Sequence, residues 1–318
     1  MDLVSDILSH MRLNGTLYFR TSFTSPWGVS VPSFEGVSRF HFAHRGGCFV
    51  RVGSEPTLVP LEQGDLIIIT RGAAHTLFCD PTTESDALTL DRVVEESGFT
   101  GKGTLVHGVP GTNHETQLVC GHFAFENDTS HPLIDALPSY IHIKDYGQDA
   151  GSWMQSTLQV IGQEAGRDRV GSDLIALKLS EIIFIQALRA YLHAEGANKP
   201  ILAGFSDRQI SKALDAFHND PNSQWPLAAL ARVAGMSRTS FAIKFSRLLS
   251  MTPGNYITQW RMQLARRLLA ESDAPIIEVA EKAGYQSEAA FSRVFKKHFA
   301  LPPATYRRRR QRPTGDNA

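Results

Sequence analysis

Ile277-Glu-Val-Ala-Glu-Lys-Ala-Gly-Tyr-Gln-Ser-Glu-Ala-Ala-Phe-Ser-Arg-Val-Phe295 is a short amphipathic run, a Gly-x-x-Ser break and a second amphipathic run. Gly284 can take the left-handed backbone that ends a helix, and Ser287 is a good N-cap for the next one. The same plan stands upstream in Leu227-Ala-Ala-Leu-Ala-Arg-Val-Ala-Gly-Met-Ser-Arg-Thr-Ser-Phe-Ala-Ile-Lys-Phe245, where Gly235 and Ser237 hold the same places. The two capping serines are 50 residues apart. A pair of such breaks predicts two helix-turn-helix units, whose second helices enter the DNA major groove.

The spacing has its own explanation. Thr252-Pro253-Gly254 reads as a helix start, with Thr as N-cap and Pro at the first helical position. Tyr256, Trp260, Leu264 and Leu268 then recur every fourth residue, which predicts one amphipathic helix to about Ala270. At roughly 1.5 Å per residue that strut is about 27 Å long. It suits two recognition helices in neighbouring turns of one duplex face, which repeat at about 34 Å. Asp273 is expected to cap the next helix, Pro302-Pro303 to close the last one, and Arg307 to Arg310 to form a basic tail.

Charge agrees. The 318 residues are formally neutral, yet residues 226–318 hold 16 Lys and Arg against 6 Asp and Glu, whereas residues 1–225 hold 16 against 26. A basic end joined to an acidic one suggests a nucleic-acid-binding region attached to something else.

Two helix-turn-helix units on a linking helix, with the ending Gly284-Tyr285-x-Ser287-x-x-x-Phe291-Ser292-Arg293-x-Phe295-Lys296-x-x-Phe299-x-x-x-Pro303-x-x-Tyr306-Arg307, resemble the DNA-binding domain of the AraC/XylS family of transcription regulators over residues 204–308. In the first recognition helix Phe241, Phe245 and Leu248 are expected to pack inward. Arg238, Thr239, Ala242 and Ile243 then meet base edges, and Lys244 a flanking phosphate. In the second, Phe291, Phe295 and Phe299 form the buried stripe; Glu288, Ala289, Ser292, Arg293 and Lys297 face the groove. The resemblance puts Arg293 where family members often place a base-reading arginine, a geometry that suits guanine. Arg266 and Arg267 are read as phosphate or solvent contacts.

The first 150 residues are read as sheet. Short or alternating apolar runs at Leu17–Phe23, Phe40–Phe42, Phe49–Val52, Leu66–Ile69, Thr76–Phe78, Leu88–Leu90 and Leu118–Phe125, punctuated by Gly and Pro, suit a β-barrel or jelly roll. Gly64-Asp-Leu-Ile-Ile-Ile-Thr-Arg-Gly72-Ala-Ala-His75 resembles the second cupin motif, with Thr70 where Pro is usual. Phe40-His41-Phe42-Ala43-His44 gives only a displaced histidine pair for the first motif, and its Glu is missing. The usual enzymatic metal triad is therefore not recoverable. A narrower set remains: His41, His75 and Cys120, with His122 or Cys48 as a fourth ligand, are the candidate metal site, and zinc is the metal that imidazole and thiolate would suit. The region also resembles the cupin-like sensor domain of one branch of AraC-type regulators, in Asp2-x-x-x-Asp6-x-Leu8, Trp27-Gly28, Gly64-Asp65, Gly72-x-x-His75, Cys120-Gly121 and His131-Pro132-Leu133. The other histidines have no spacing signal.

Three cysteines, Cys48, Cys79 and Cys120, make no C-x-x-C pair, and an odd count without a signal peptide argues for a reducing cytoplasm. Cys120 is the redox-sensing candidate, against the alternative of three buried thiols.

Between the two ends, Trp153–Glu164 and Leu174–Leu192 read as a helical hairpin, the second helix apolar on more than one face. Such hairpins are where family members commonly dimerise, and a homodimer suits paired half-sites. Lys178, Glu181 and Gln186 break the run, so it is not a membrane span.

The expected architecture is α+β with two domains. Residues 1–150 form a cupin-like sensor, 151–196 the hairpin, 197–205 a linker, 206–308 an all-α double helix-turn-helix domain, and 309–318 a basic flexible tail. The expected function is a sequence-specific transcription regulator, an activator by resemblance. It would work on promoter DNA with RNA polymerase, under an effector, metal or oxidant sensed in the barrel. The alternative is a metal-dependent cupin enzyme fused to a DNA-binding domain.

Overall fold

The computed structural model describes residues 5–8, 14–34, 36–101, 103–108, 114–124, 131–144, 151–164, 170–195, 203–205 and 207–311. Asp2, Phe125, residues 197–202 of the expected linker and the tail beyond Gln311 lie outside them. The chain divides into two units. One comprises Met11–Asp128 and Leu137–Glu195; the other comprises Met1–His10, Thr129–Ala136 and Gly196–Ala318. The opening segment and the stretch around His131 thus group with the C-terminal helices.

The strands are β1 (Asn14–Thr24), β2 (Gly28–Val31), β3 (Val37–Arg45), β4 (Cys48–Val52), β5 (Val59–Leu61), β6 (Leu66–Ile69), β7 (His75–Phe78), β8 (Leu88–Thr89), β9 (Thr104–His107), β10 (Glu115–Ala124) and β11 (Tyr140–Ile143). Among the described residues they form two sheets, ordered β11-β6-β3-β10-β1-β9 and β5-β4-β7-β2-β8, the jelly-roll form of the expected architecture, with no ladder between the sheets. Their inward residues make one core, with Ile67, Ile69, Leu118 and Cys120 from the first sheet and Val29, Val50, Leu61 and Leu77 from the second. Helix α1 (Leu90–Ser97) follows β8.

Strand β3 is buried on both faces, which is why it does not alternate. Its outward Phe40 stacks on Phe123 of β10 at 4.8 Å, and Phe123 meets Phe184 at 4.8 Å. Phe184 lies on α4 (Ser172–Glu195), which with α3 (Gly151–Glu164) forms the predicted hairpin. The face of α4 holding Ile183, Phe184, Ala187 and Leu188 is buried, while Leu174, Ile175 and Ile182 remain exposed.

The other unit holds α2 (Pro132–Asp135), α5 (Arg208–Asn219), α6 (Leu227–Val233), α7 (Arg238–Leu249), α8 (Pro253–Glu271), α9 (Ile276–Lys282), α10 (Glu288–Phe299) and α11 (Pro303–Gln311). The predicted breaks are as read: Gly235 and Gly284 sit at φ +66° and +75°. The Ser237 and Ser287 hydroxyls accept from the amides of Ser240 and Ala290, each at 3.1 Å. Thr252 caps α8, the linking helix, as expected.

Several local readings are corrected. Leu249, one turn beyond Phe245, fills the buried position assigned to Leu248, which is only half-buried, as is Phe299. Pro275 is the N-cap of α9 in place of Asp273. Pro303 opens a helix, because proline's missing N–H costs nothing in a first turn, and that helix carries Arg307 to Arg310, which are therefore no tail; Arg307 donates to the Ala274 carbonyl at 2.5 Å. Arg266 is 5% exposed, so it is no phosphate contact, and Arg267 pairs with Glu271 at 3.0 Å.

Arg261 of α8 ties the two halves together. Its guanidinium donates to the carbonyls of Pro221 at 2.8 Å and Ser223 at 2.6 Å in the α5–α6 turn, and to that of Gly284 at 3.4 Å. A Cβ at Gly284 would meet the same guanidinium at 2.6 Å.

Candidate functional site

Each recognition helix buries its aromatic stripe and turns the predicted reading residues outward. On α7, Phe241 and Phe245 are buried, Arg238, Thr239 and Ile243 are exposed, and Ala242 is half-buried. Ile243 keeps 65% of its surface, an apolar patch of the kind that meets a thymine methyl. Lys244 is held within the unit, its ammonium 2.8 Å from the Asp207 carboxylate and 2.9 Å from the Gln209 amide oxygen. A phosphate would have to compete with both. On α10, Phe291 and Phe295 are buried, Glu288, Ala289, Arg293 and Lys297 are exposed, and Ser292 is half-buried.

The sheet unit holds a cavity of about 290 Å³. Phe19, Phe23, Val31, Leu77 and Leu118 line it, with His41, Cys120 and the buried Arg39 as polar groups in the wall and Asp91 and Phe34 also lining it. The Arg39 guanidinium lies 4.5 Å from the Phe34 ring centroid.

His41, His75 and Cys120 do come together. His75 Nδ1 is 3.0 Å from the Ala73 carbonyl, which can only accept, so that nitrogen carries the proton. Burial pushes His75 down to about 4, so the ring is neutral and its Nε2 accepts. His41 Nε2, 2.8 Å away, must then donate. Burial, then neighbouring His75 and Arg39, holds His41 well below the ordinary range, so its Nδ1 accepts from the Cys120 thiol at 3.1 Å. The result is an ordered chain of neutral groups: thiol to imidazole to imidazole to carbonyl.

These donors have the right chemistry for zinc but not the arrangement. His41 offers opposite ring nitrogens to Cys120 and to His75, so no single point is reached by all three. Two imidazoles on one tetrahedral zinc would also place their nitrogens about 3.3 Å apart. His122 lies two residues beyond Cys120 on β10, in register with Arg39, and Cys48 is a core residue whose thiol burial pushes up. Among the described residues, no group of three or more His, Cys, Asp or Glu is arranged to hold a metal ion. As the redox candidate, Cys120 is 7% exposed and burial pushes its thiol up to about 12, which leaves little thiolate at neutral pH.

A second buried chain lies in the helical unit, where sequence gave no spacing signal. The Leu133 amide donates to His131 Nδ1 at 3.1 Å. His131 Nε2 therefore donates to the Tyr256 hydroxyl at 3.2 Å. That hydroxyl donates to His218 Nε2 at 2.8 Å, and His218 Nδ1 donates to the Asp6 carboxylate at 2.7 Å. Trp260 closes over both imidazoles, its ring 4.4 Å from His218 and 5.4 Å from His131. Asp6 and His131 both lie in the stretches that resemble AraC-type sensor domains, but their partners are 212 and 125 residues away in sequence.

Comparisons with known proteins bear on both units. A family profile described as Cupin matches residues 2–193, and one described as Helix-turn-helix domain matches residues 230–309. A putative AraC-like transcription regulator of Streptomyces lividans is 31% identical, covering 97% of this chain and 98% of its own. The HTH-type transcriptional regulator AlkR of Acinetobacter baylyi is 29% identical, covering 96% and 99%. Among solved structures, the DNA-binding domain of AdpA in complex with a target DNA is 31% identical over 34% of this chain and 99% of that one, with a TM-score of 0.32. The chain belongs to the AraC-like transcription regulators, with a cupin domain preceding its helix-turn-helix domain.

Proposed function

We propose that this regulator activates transcription from a promoter site to which it binds as a homodimer, when a small organic effector occupies the cavity of its sheet unit. As a member of its family it is a DNA-binding transcription regulator under effector control and not an enzyme. The single observation behind the effector is the cavity itself, a wall of aromatic and aliphatic side chains broken by Arg39, His41, Cys120 and Asp91. At roughly 30 Å³ per water-sized group, its 290 Å³ suits about ten non-hydrogen atoms, mostly apolar, with one or two polar groups.

Arg238, Thr239, Ala242 and Ile243 on α7, and Glu288, Ala289, Ser292, Arg293 and Lys297 on α10, read the bases. Exposed Leu174, Ile175 and Ile182 on α4 support the homodimer. The protein acts in the cytoplasm, where it contacts RNA polymerase; among the described residues no helix is long and apolar enough to cross a membrane.

Thermal-shift titration with small aromatic and aliphatic alcohols and acids tests the effector. Wild type should be stabilised by at least one compound and Leu118→Trp, which fills the cavity, by none. Absence of any shift, with about one zinc per chain by elemental analysis that His75→Ala removes, would replace the organic effector with a metal.

A further inference from the structure

The run of residues 131–139 is held at both ends. At its start, the His131 side chain belongs to the buried chain through Tyr256 and His218 to Asp6, and its ring accepts the Leu133 amide. At its end, three backbone carbonyls are gripped by the loop before His75. Thr70 donates its hydroxyl to Pro138 and its amide to Ser139 at 3.2 Å, and Arg71 donates to Leu137 at 2.8 Å. Between the grips is a single turn of helix, α2, in which Pro132, Leu133 and Ile134 are buried. Leu137 stands only six residues beyond His131, so the covalent path between the two grips is short.

The gripping loop is itself tied to the cavity. Gly72 sits at φ +59°, and a Cβ there would stand 1.8 Å from the Phe34 carbonyl. Phe34, whose amide donates to the Gly72 carbonyl at 2.8 Å, lines the cavity and stacks on Arg39. Three residues on, His75 ends the neutral chain that begins at Cys120 and His41 in the cavity wall. An occupant that moves Phe34, or that takes a hydrogen bond from Cys120 or His41, acts on the segment that holds Leu137 to Ser139.

We propose that residues 131–139 are the coupling element of this regulator, carrying the state of the sensor cavity to the linking helix α8, with Tyr256 as the residue that receives it. This rests on the reading of the sheet unit as an effector sensor. Tyr256 is suited to the role because its hydroxyl is the shared atom of the buried chain and its ring packs on Phe245 of the first recognition helix at 5.8 Å. Coupling by linkage is reciprocal, so a perturbation at either grip must be felt at the other.

Hydrogen–deuterium exchange of the full-length chain tests this without effector or DNA, so its failure is separate from failure of the effector reading. Tyr256→Phe removes one hydroxyl from the helical unit, and Arg71→Ala removes one surface guanidinium from the sheet unit. Coupling predicts that Tyr256→Phe speeds exchange in peptides containing Thr70, and that Arg71→Ala speeds it in peptides containing Leu133 and Ile134. The expected change is about tenfold, a hydrogen-bond-sized loss of local stability. Peptides from α10 should be unchanged in both. If each variant alters exchange only within its own unit, residues 131–139 are a passive connection and the proposal fails. Should Tyr256→Phe not fold, Arg71→Ala decides alone.

Discussion

Each unit of this regulator buries a pair of histidines in an ordered hydrogen-bond chain, and the two chains end differently. In the sheet unit, Cys120, His41 and His75 finish on the Ala73 carbonyl; every member is neutral, and two line the cavity. In the helical unit, His131, Tyr256 and His218 finish on a carboxylate, that of Asp6, and are packed under Trp260. A neutral chain beside a cavity can exchange partners with an occupant at the cost of about one ordinary hydrogen bond. A chain ending on a buried carboxylate cannot, because removing a partner strands charge. One chain is fit to respond and the other to hold.

The largest break in that comparison should come from His218→Ala. It removes the imidazole N–H that donates to the Asp6 carboxylate, on a residue 8% exposed, and should cost about 3 kcal/mol of unfolding free energy, the upper end for a buried hydrogen bond because the acceptor is charged. Urea unfolding followed by tryptophan fluorescence reads it, with Trp225 and Trp260 reporting on the helical unit. His75→Ala, in the neutral chain, should cost about 1–3 kcal/mol. Equal losses would mean that the carboxylate makes no difference.

The next effect is on DNA. Arg293→Ala should weaken binding to a selected site by about 1–3 kcal/mol and relax discrimination at one base pair, as a base-reading arginine does. Selection from a random-sequence library before and after substitution would show whether a single position loses its preference. A uniform loss at every position would make Arg293 a phosphate contact.

Acid sharpens the contrast further. Burial, then the neighbouring His218, holds His131 well below its ordinary 6.5, so the folded unit keeps the ring neutral. The unfolded chain binds that proton near pH 6.5 and the folded one does not, so stability from this group is complete above 6.5 and falls as pH drops below it. Urea midpoints between pH 8 and 5 should decline accordingly in wild type, and a His131→Gln variant should decline less.

The smallest effect concerns Lys244. Because Asp207 and Gln209 hold its ammonium, Lys244→Ala should change DNA affinity and stability by less than about 1 kcal/mol each. A loss of DNA affinity as large as that of Arg293→Ala would show that the lysine leaves Asp207 to meet phosphate.

What could be read from sequence followed the range of the interactions. Ser237, Ser287, Gly235 and Gly284 were legible because a cap and its helix lie within four residues, and the Phe241–Phe245 and Phe291–Phe295 stripes because their period is local. Pro303 was misread as an ending because proline both stops one helix and starts another. The jelly-roll reading of the first 150 residues is met by two sheets around one core, but their strand order was not legible because it depends on which distant strands pair. His41, His75 and Cys120 were correctly gathered, yet only the ring orientations showed that they hydrogen-bond in series and do not converge. Asp6, His131, His218 and Tyr256 join three separate stretches of chain, and no short-range pattern signals that.

That this chain reads a specific DNA sequence through α7 and α10 is tested most directly by fluorescence anisotropy of the purified protein, titrated at fixed salt onto a duplex selected from a random library and onto its scrambled copy. A regulator of this design should bind the selected site at least about a thousandfold more tightly. Equal affinity for the two duplexes would contradict it.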